Sequence, residues 1–338
     1  MKKILYVGNQ LKGKGQSVTT IDTLSTLLKS EGHHVIVTSN KQNKVFRLLD
    51  MIFTFLKNVK QVDVVLIDTY STSNFYYAYI VAILAKVFKV EYIPILHGGN
   101  LPNRLENSPK MSAQIFNNSY TNIAPSNYLK IAFEKEGYIV TFIPNILEIK
   151  NYPLKKRKQL QPHLLWVRSF AKIYNPQLAI KILNKLKATY PTAKLCMVGA
   201  DKGEMQACEN LAKQLNLEND IEFTGLLAPK QWHKKSVEYD IFINTTNFDN
   251  TPVSVMEAMA LGLPVITTNI GGLPYLIDNE VDGILVQPNA IMAFVNPIIN
   301  LLNTQKKGII LATNARKKVE QFDWETVKYQ WNKIFQDV

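Results

Sequence analysis

The stretch Asp249-Asn250-Thr251-Pro252-Val253-Ser254-Val255-Met256-Glu257-Ala258-Met259-Ala260-Leu261-Gly262-Leu263-Pro264-Val265 decides how this chain is read. Phe242-Ile243-Asn244 precedes it and reads as a strand; Val265 opens another, which ends before Gly271-Gly272. The order is strand, polar loop, short helix, strand, glycine turn. Thr251 is the expected cap of the helix, Pro252 takes its first turn, and Gly262 lies just past its end. Asp249 in the loop and Glu257 in the helix are eight residues apart, a separation of roughly 12 Å or less at helical rise. That span suits the sugar and the ribose of a nucleotide-diphosphate sugar, and the exposed amides of the helix start between the two acids suit an anion. Glu257 is flanked by Val255, Met256, Ala258 and Met259, so its helix is partly buried and the acid needs partners.

Outward from this stretch, strands and helices alternate along nearly all of the 338 residues, which predicts parallel sheets covered by helices. Strands are expected over 3–7, 34–38, 62–67, 92–96, 121–124 and 140–143. After residues 147–162, a polar segment with Pro153, Pro162 and the cluster Lys155-Lys156-Arg157-Lys158, the alternation restarts. Further strands are expected over 164–167, 194–198, 221–223, 240–244, 264–267 and 283–286. The expected architecture is α/β, with two facing doubly wound Rossmann-like domains and a cleft between them. Residues 1–146 are expected to form the first domain, 147–162 a linker and 163–320 the second. Residues 321–338, with Trp324 and Trp331, form a helix expected to pack back on the first domain. Ligands of such sheets lie outside the carboxyl ends of the strands.

Three segments at those ends carry candidate chemistry. The loop Gly8-Asn9-Gln10-Leu11-Lys12-Gly13-Lys14-Gly15 joins the first strand to a helix and lets backbone and two lysines approach a phosphate. It lacks the G-x-G-x-x-G spacing, and no acid is well placed after the second strand, which argues against a nicotinamide cofactor. His97-Gly98-Gly99-Asn100 follows the fourth strand, with Arg104 and Glu106 beyond it. Arg168 and Lys172 follow the first strand of the second domain; an arginine grips a diphosphate with its fork and a lysine adds a point charge.

Composition narrows the partners. A formal net charge of +12 favours an anionic one, whether nucleotide, nucleic acid or acidic membrane. Two cysteines, Cys196 and Cys208, give neither a disulfide framework nor a metal site and fit a reducing compartment. There is no Asp-x-Asp, no His-Glu-x-x-His and no P-loop, so neither a metal nor another cofactor is expected. The start reads as a first strand rather than a signal peptide, and residues 75–90 are too short and too basic to span a bilayer. Residues 41–60 hold five Lys or Arg and one acid around an apolar run. That segment reads equally as a buried helix or as one resting on an anionic lipid surface.

The chain resembles the retaining glycosyltransferases of family 4, which have the GT-B fold. The signature of that family is an acid, seven residues, then Glu-Ala-Met-Ala-x-Gly-x-Pro-Val and a Gly-Gly pair; here it stands as Asp249, Glu257 to Val265, and Gly271-Gly272. His97-Gly98, Ser126 at a helix start, Ile143-Pro144-Asn145, Arg168, Lys172 and Val198-Gly199 extend the resemblance over essentially the whole chain. It makes the first domain the acceptor side and the second the nucleotide-sugar side, and implies that Glu257 binds the ribose and Asp249 the transferred sugar. Arg168 and Lys172 hold the diphosphate, Gly13 and Gly15 close over it, and His97 lies beside sugar and acceptor. Asn250, Thr251, Pro252, Val253 and Gly199 complete the donor site. The sequence departs from the family at Asp249 (usually glutamate), at Lys172 (one residue closer to Arg168 than usual) and at Tyr275 (commonly glutamate). The resemblance implies metal-independent transfer from a nucleotide-diphosphate sugar to a glycan or lipid-linked acceptor, in bacterial surface polysaccharide or lipopolysaccharide synthesis. The cysteine usage and the strand-like start lead to the expectation of a cytoplasmic protein, residues 41–60 to that of peripheral attachment to the inner face of the membrane, and nucleic acid is not an expected partner. Two rivals stay open: a sugar-nucleotide 2-epimerase, and a non-catalytic sugar-nucleotide-binding subunit.

Overall fold

The computed structural model describes residues 1–11 and 19–338. The chain divides into two compact units, Met1–Ile146 with Trp324–Val338, and Leu147–Asp323.

Among the described residues the first unit holds six strands: β1 (Lys3–Val7), β2 (His34–Thr38), β3 (Val64–Tyr70), β4 (Glu91–His97), β5 (Asn122–Ala124) and β6 (Val140–Phe142). All pairings are parallel, in the order β2-β1-β3-β4-β5-β6. Alternate residues of β1 serve opposite faces, as the two-residue period of a strand requires. Leu5 and Val7 join a core with Met51, Phe55 and Phe116, whereas Ile4 and Tyr6 join one with Ile21, Leu24 and Leu28. Burial on both faces explains why these strands are continuously apolar. The helix Trp324–Asp337 belongs to this unit: Trp324, Val327, Trp331 and Phe335 pack in the same core as Ile4 and Tyr6. Trp324 Nε1 donates to Glu31 Oε1 at 3.2 Å.

The second unit holds β7 (His163–Val167), β8 (Lys194–Val198), β9 (Ile221–Gly225), β10 (Ile241–Asn244), β11 (Val265–Thr268) and β12 (Ile284–Val286), in the parallel order β12-β11-β10-β7-β8-β9. The strand order reverses between β7 and β10, and open α/β sheets bind ligands outside such a switch point. Residues 147–162, expected as a polar linker, are anchored in this unit. Arg157 is buried beside Asp240, with Nε 3.0 Å from Oδ1, and donates to the carbonyls of Gly262 (2.7 Å) and Tyr239 (2.8 Å). Burial draws its guanidinium below the usual value, against the pull of Asp240. One cation satisfying several carbonyls explains why a lysine-rich surface segment is nevertheless fixed.

Candidate active site

In the second unit the candidate residues gather at the carboxyl edge of the sheet. Arg168 immediately follows β7, and the loop from Thr245 to Pro252 follows β10. This loop is tied down by hydrogen bonds. The Trp166 indole donates to Thr245 Oγ1 at 2.9 Å, Thr268 Oγ1 donates to the Thr246 carbonyl at 2.7 Å, and the Asn247 amide donates to the Ile173 carbonyl at 2.7 Å. Two glycines press against it. A Cβ on Gly271 would overlap the Asp249 carbonyl, and one on Gly272 the Asn250 carbonyl, while the Gly272 amide donates to Asp249 at 2.9 Å. Gly199, directly after β8, plays the same part at the end of β7, since a Cβ there would strike the Arg168 carbonyl.

Held in this way, Asp249 forms an ion pair with Arg168 Nη2. The Arg168 guanidinium lies over the Tyr174 ring, 4.4 Å from its centroid, and burial lowers its affinity for the proton. Lys172 is exposed and makes no ion pair among the described residues. Several buried polar atoms find no partner among the described residues: Arg168 Nε, Asn244 Oδ1, Asn247 Oδ1, Thr251 Oγ1 and Ser254 Oγ. Such atoms are uncommon in a finished interior.

The helix Val253–Ala260 starts later than the sequence suggested. Its cap residue is Pro252, with no side-chain capping bond, and the Thr251 hydroxyl is one of the unpartnered atoms. The fixed φ of proline favours this boundary. At the other end Gly262 adopts φ +73°, and the Gly262 and Leu263 amides close onto Met259 and Ala258. Glu257 is 9% exposed. Its Oε1 accepts from the Tyr152 hydroxyl at 3.0 Å and lies 3.2 Å from His233 Nε2. Neither partner was singled out in the sequence. Tyr152 sits in the supposed linker, and His233 in a helix, Pro229–Lys235, whose other charged residues are mostly surface lysines.

In the first unit, His97 is the last residue of β4, one position earlier than expected, and is largely buried. Its Nε2 is 2.8 Å from Asp68 Oδ1, and its ring stacks on Tyr70 with centroids 4.8 Å apart. The Tyr6 hydroxyl donates to the same Asp68 oxygen at 2.9 Å. Burial, and then Asp68, push the Tyr6 phenol well above its usual pKa. Asp68 Oδ2 has no hydrogen-bond partner among the described residues, and a Cβ on Gly8 would overlap it. Asp68 was missed because it sits inside an apolar strand; its place two residues before the end of β3 was the available signal. Arg104 lies over the Phe75 ring at 4.5 Å. Gly13 and Gly15 lie outside the described residues. Among the described residues no three His, Cys, Asp or Glu side chains gather as a metal cluster.

Comparison with known proteins follows this geometry. The structure resembles a sucrose-phosphate synthase of Thermosynechococcus elongatus with a TM-score of 0.84 at 17% identity, covering 100% of this chain and 99% of that one. It resembles HepE of Anabaena, solved in complex with UDP-glucose, with a TM-score of 0.78 at 17% identity over 100% of both chains. These likenesses establish the two-sheet GT-B fold. In sequence the chain is 24% identical over 237 residues to the N-acetyl-alpha-D-glucosaminyl L-malate synthase of Bacillus anthracis, covering 68% of this chain and 58% of that protein. It spans less than two thirds of the length of the curated relatives it first matches. The family model described as glycosyl transferases group 1 matches residues 149–318, half of the chain, including Arg168, Asp249 and Glu257. The chain belongs to the glycosyl transferases group 1 family.

Proposed function

We propose that the protein transfers a sugar, with retention at the anomeric carbon, from a nucleotide-diphosphate sugar to a glycan or lipid-linked acceptor. The observation that carries this reading is the set of unpartnered polar atoms around Arg168, Asp249 and the start of the Val253–Ala260 helix. They lie at the carboxyl edge of a sheet whose family uses nucleotide sugars. Glu257 takes the ribose, and Arg168, Lys172 and the amides at Val253 and Ser254 take the diphosphate. Asp249, anchored by Arg168, meets the transferred sugar. By the family resemblance Gly13 and Gly15 are assigned to the phosphates and His97 to the sugar or the acceptor.

In the reaction, the acceptor oxygen bonds to the anomeric carbon as the bond from that carbon to the diphosphate oxygen breaks. The electron pair leaves with the diphosphate, whose oxygen receives the acceptor proton. Negative charge grows on the leaving group, where preorganised cations and amides act most strongly. Arg168 and Lys172 do this work without calling on a metal.

The reading extends to bacterial surface polysaccharide or lipopolysaccharide assembly. The solved relative HepE binds UDP-glucose, and an Escherichia coli relative is a galactosyltransferase acting on a diphosphoundecaprenol-linked sugar. Attachment to the cytoplasmic face of a membrane is supported by the helix Lys44–Asn58. Its Phe46 and Phe53 are 65% and 67% exposed, and Val45, Leu49 and Leu56 are exposed beside them, next to Lys41, Lys44, Lys57 and Lys60. Among the described residues no helix is long and apolar enough to cross a membrane.

The test is nucleoside-diphosphate release from UDP-, GDP- and ADP-sugars, with and without a lipid extract containing polyprenyl-diphosphate-linked glycans. Acceptor-dependent release is expected. Conversion of a donor without acceptor would favour the epimerase reading, and no turnover under either condition would favour a binding subunit.

A further inference from the structure

The oxygen accounting at Glu257 goes a step further. An ionised carboxylate only accepts hydrogen bonds, and each of its oxygens offers about two lone-pair sites. Oε1 faces two donors, the Tyr152 hydroxyl at 3.0 Å and His233 Nε2 at 3.2 Å. It is therefore full. Oε2 has no hydrogen-bond partner among the described residues, and it is not one of the buried orphan atoms. The two donors are themselves fixed. The Tyr152 carbonyl accepts from Arg316 Nη1 at 2.9 Å, and the same nitrogen donates to the carbonyl of Ala260, one turn beyond Glu257 on its own helix. His233 is buried, its ring 4.7 Å from that of Tyr152 and 4.5 Å from that of Trp232. Its carbonyl accepts from Ser236 Oγ at 2.7 Å. Burial and the nearby Glu257 charge keep the Tyr152 phenol protonated, so it stays a donor.

We propose that Tyr152 and His233 are positioning residues that saturate Glu257 Oε1 and so present Oε2 alone to the ribose hydroxyls of a nucleoside diphosphate. A free carboxylate can rotate to receive a ribose diol on both oxygens or on either one. This one is locked before the ligand arrives, so both hydroxyls converge on a single oxygen and selectivity for a ribose over a deoxyribose depends on the lock. The proposal rests on the reading of Glu257 as the ribose contact.

The probe is a nucleoside diphosphate, taken as whichever of UDP, GDP and ADP binds most tightly in calorimetry. It is titrated together with its 2′-deoxy, 3′-deoxy and 2′,3′-dideoxy forms. A hydrogen bond to a charged group supports an affinity ratio of ribo to deoxy form of about tenfold or more in the wild type. Tyr152→Phe removes only the hydroxyl; it is expected to bring that ratio to about threefold or less while the dideoxy form binds as before. His233→Gln, which keeps a donor nitrogen, is expected to hold the wild-type ratio, and His233→Leu to lower it. An unchanged ratio in both Tyr152→Phe and His233→Leu, or equal weakening of every form including the dideoxy, overturns the proposal. Glu257→Gln separates the two levels: a wild-type ratio in that variant refutes the ribose reading itself, as does failure of all three nucleotides to bind.

Discussion

His97 Nε2 lies 2.8 Å from Asp68 Oδ1, and this oxygen also accepts from the Tyr6 hydroxyl. A carboxylate accepts hydrogen bonds, so Nε2 is assigned the hydrogen, and the other ring nitrogen, Nδ1, makes no hydrogen bond among the described residues. Asp68→Asn keeps the shape and removes the charge. In the proposed transfer reaction, assayed with whichever nucleotide sugar supports it, kcat is expected to fall at least about tenfold, while KM for the donor changes little. A long-range proton–nitrogen NMR spectrum of labelled histidine is expected to show the Nε2–H form at His97 in the wild type and a mixture in the variant. An unchanged kcat together with an unchanged spectrum would remove Asp68 from the site.

The glycine pair after β11 sets the loop that carries Asp249. A methyl at Gly272 meets the Asn250 carbonyl, and a clash between two backbones cannot be relieved by a side-chain rotation. Gly272→Ala is expected to destabilise the second unit by roughly 1–3 kcal/mol and to weaken nucleotide binding. Calorimetric melting and titration check both effects. A variant with wild-type melting and wild-type affinity would mean that the loop is not held as described.

Much of this arrangement was legible in the sequence, and the reasons it was or was not are physical. Strands such as β1 and β7 are apolar on both faces because helices cover both, so the alternation of strand and helix was readable throughout. Glu257 stood out because an acid among Val255, Met256 and Met259 needs partners. The partners themselves were hidden: Tyr152 comes from 105 residues away in sequence, out of a proline-flanked polar segment. Asp68 reads as one polar residue in a strand until the fold sets β3 beside β4 and brings His97 to it. The buried role of Arg157 was masked by Lys155, Lys156 and Lys158, which share its charge but not its carbonyl partners. The cap of the Val253–Ala260 helix was misplaced because Thr251 has the right chemistry for a cap, while Pro252 has the backbone geometry that sets the start.

Burial pushes the Cys196 and Cys208 thiols up to about 12. In the unfolded chain a thiol titrates near about 8.5. Between those values the folded protein keeps protons that the unfolded chain has lost. The stability they contribute is complete below the unfolded value and is lost as pH rises toward the folded one. Native protein at pH 8 is therefore expected to resist iodoacetamide, with both thiols reacting in denaturant. The melting temperature is expected to fall between pH 9 and pH 11, and less steeply in a Cys196→Ala/Cys208→Ala variant. Rapid alkylation of the native protein would contradict the burial.

The helix Lys44–Asn58 presents Phe46 and Phe53 beside a basic rim. The protein is expected to sediment with phosphatidylglycerol vesicles at low salt and to be released as salt screens the lysines. Phe46→Ser/Phe53→Ser is expected to weaken binding by about tenfold or more without changing the melt. Equal sedimentation of this variant, or no sedimentation of the wild type, would remove the membrane from the account.

The central claim is that the site at the carboxyl edge of the second sheet binds a nucleotide sugar through Glu257. A thermal-shift panel of UDP-, GDP-, ADP- and CMP-sugars, run on the wild type and on Glu257→Ala, tests it most directly. The account predicts a clear rise in melting temperature with one nucleotide class and its loss in Glu257→Ala. A wild-type shift retained by Glu257→Ala, or no shift with any of the four, would contradict it.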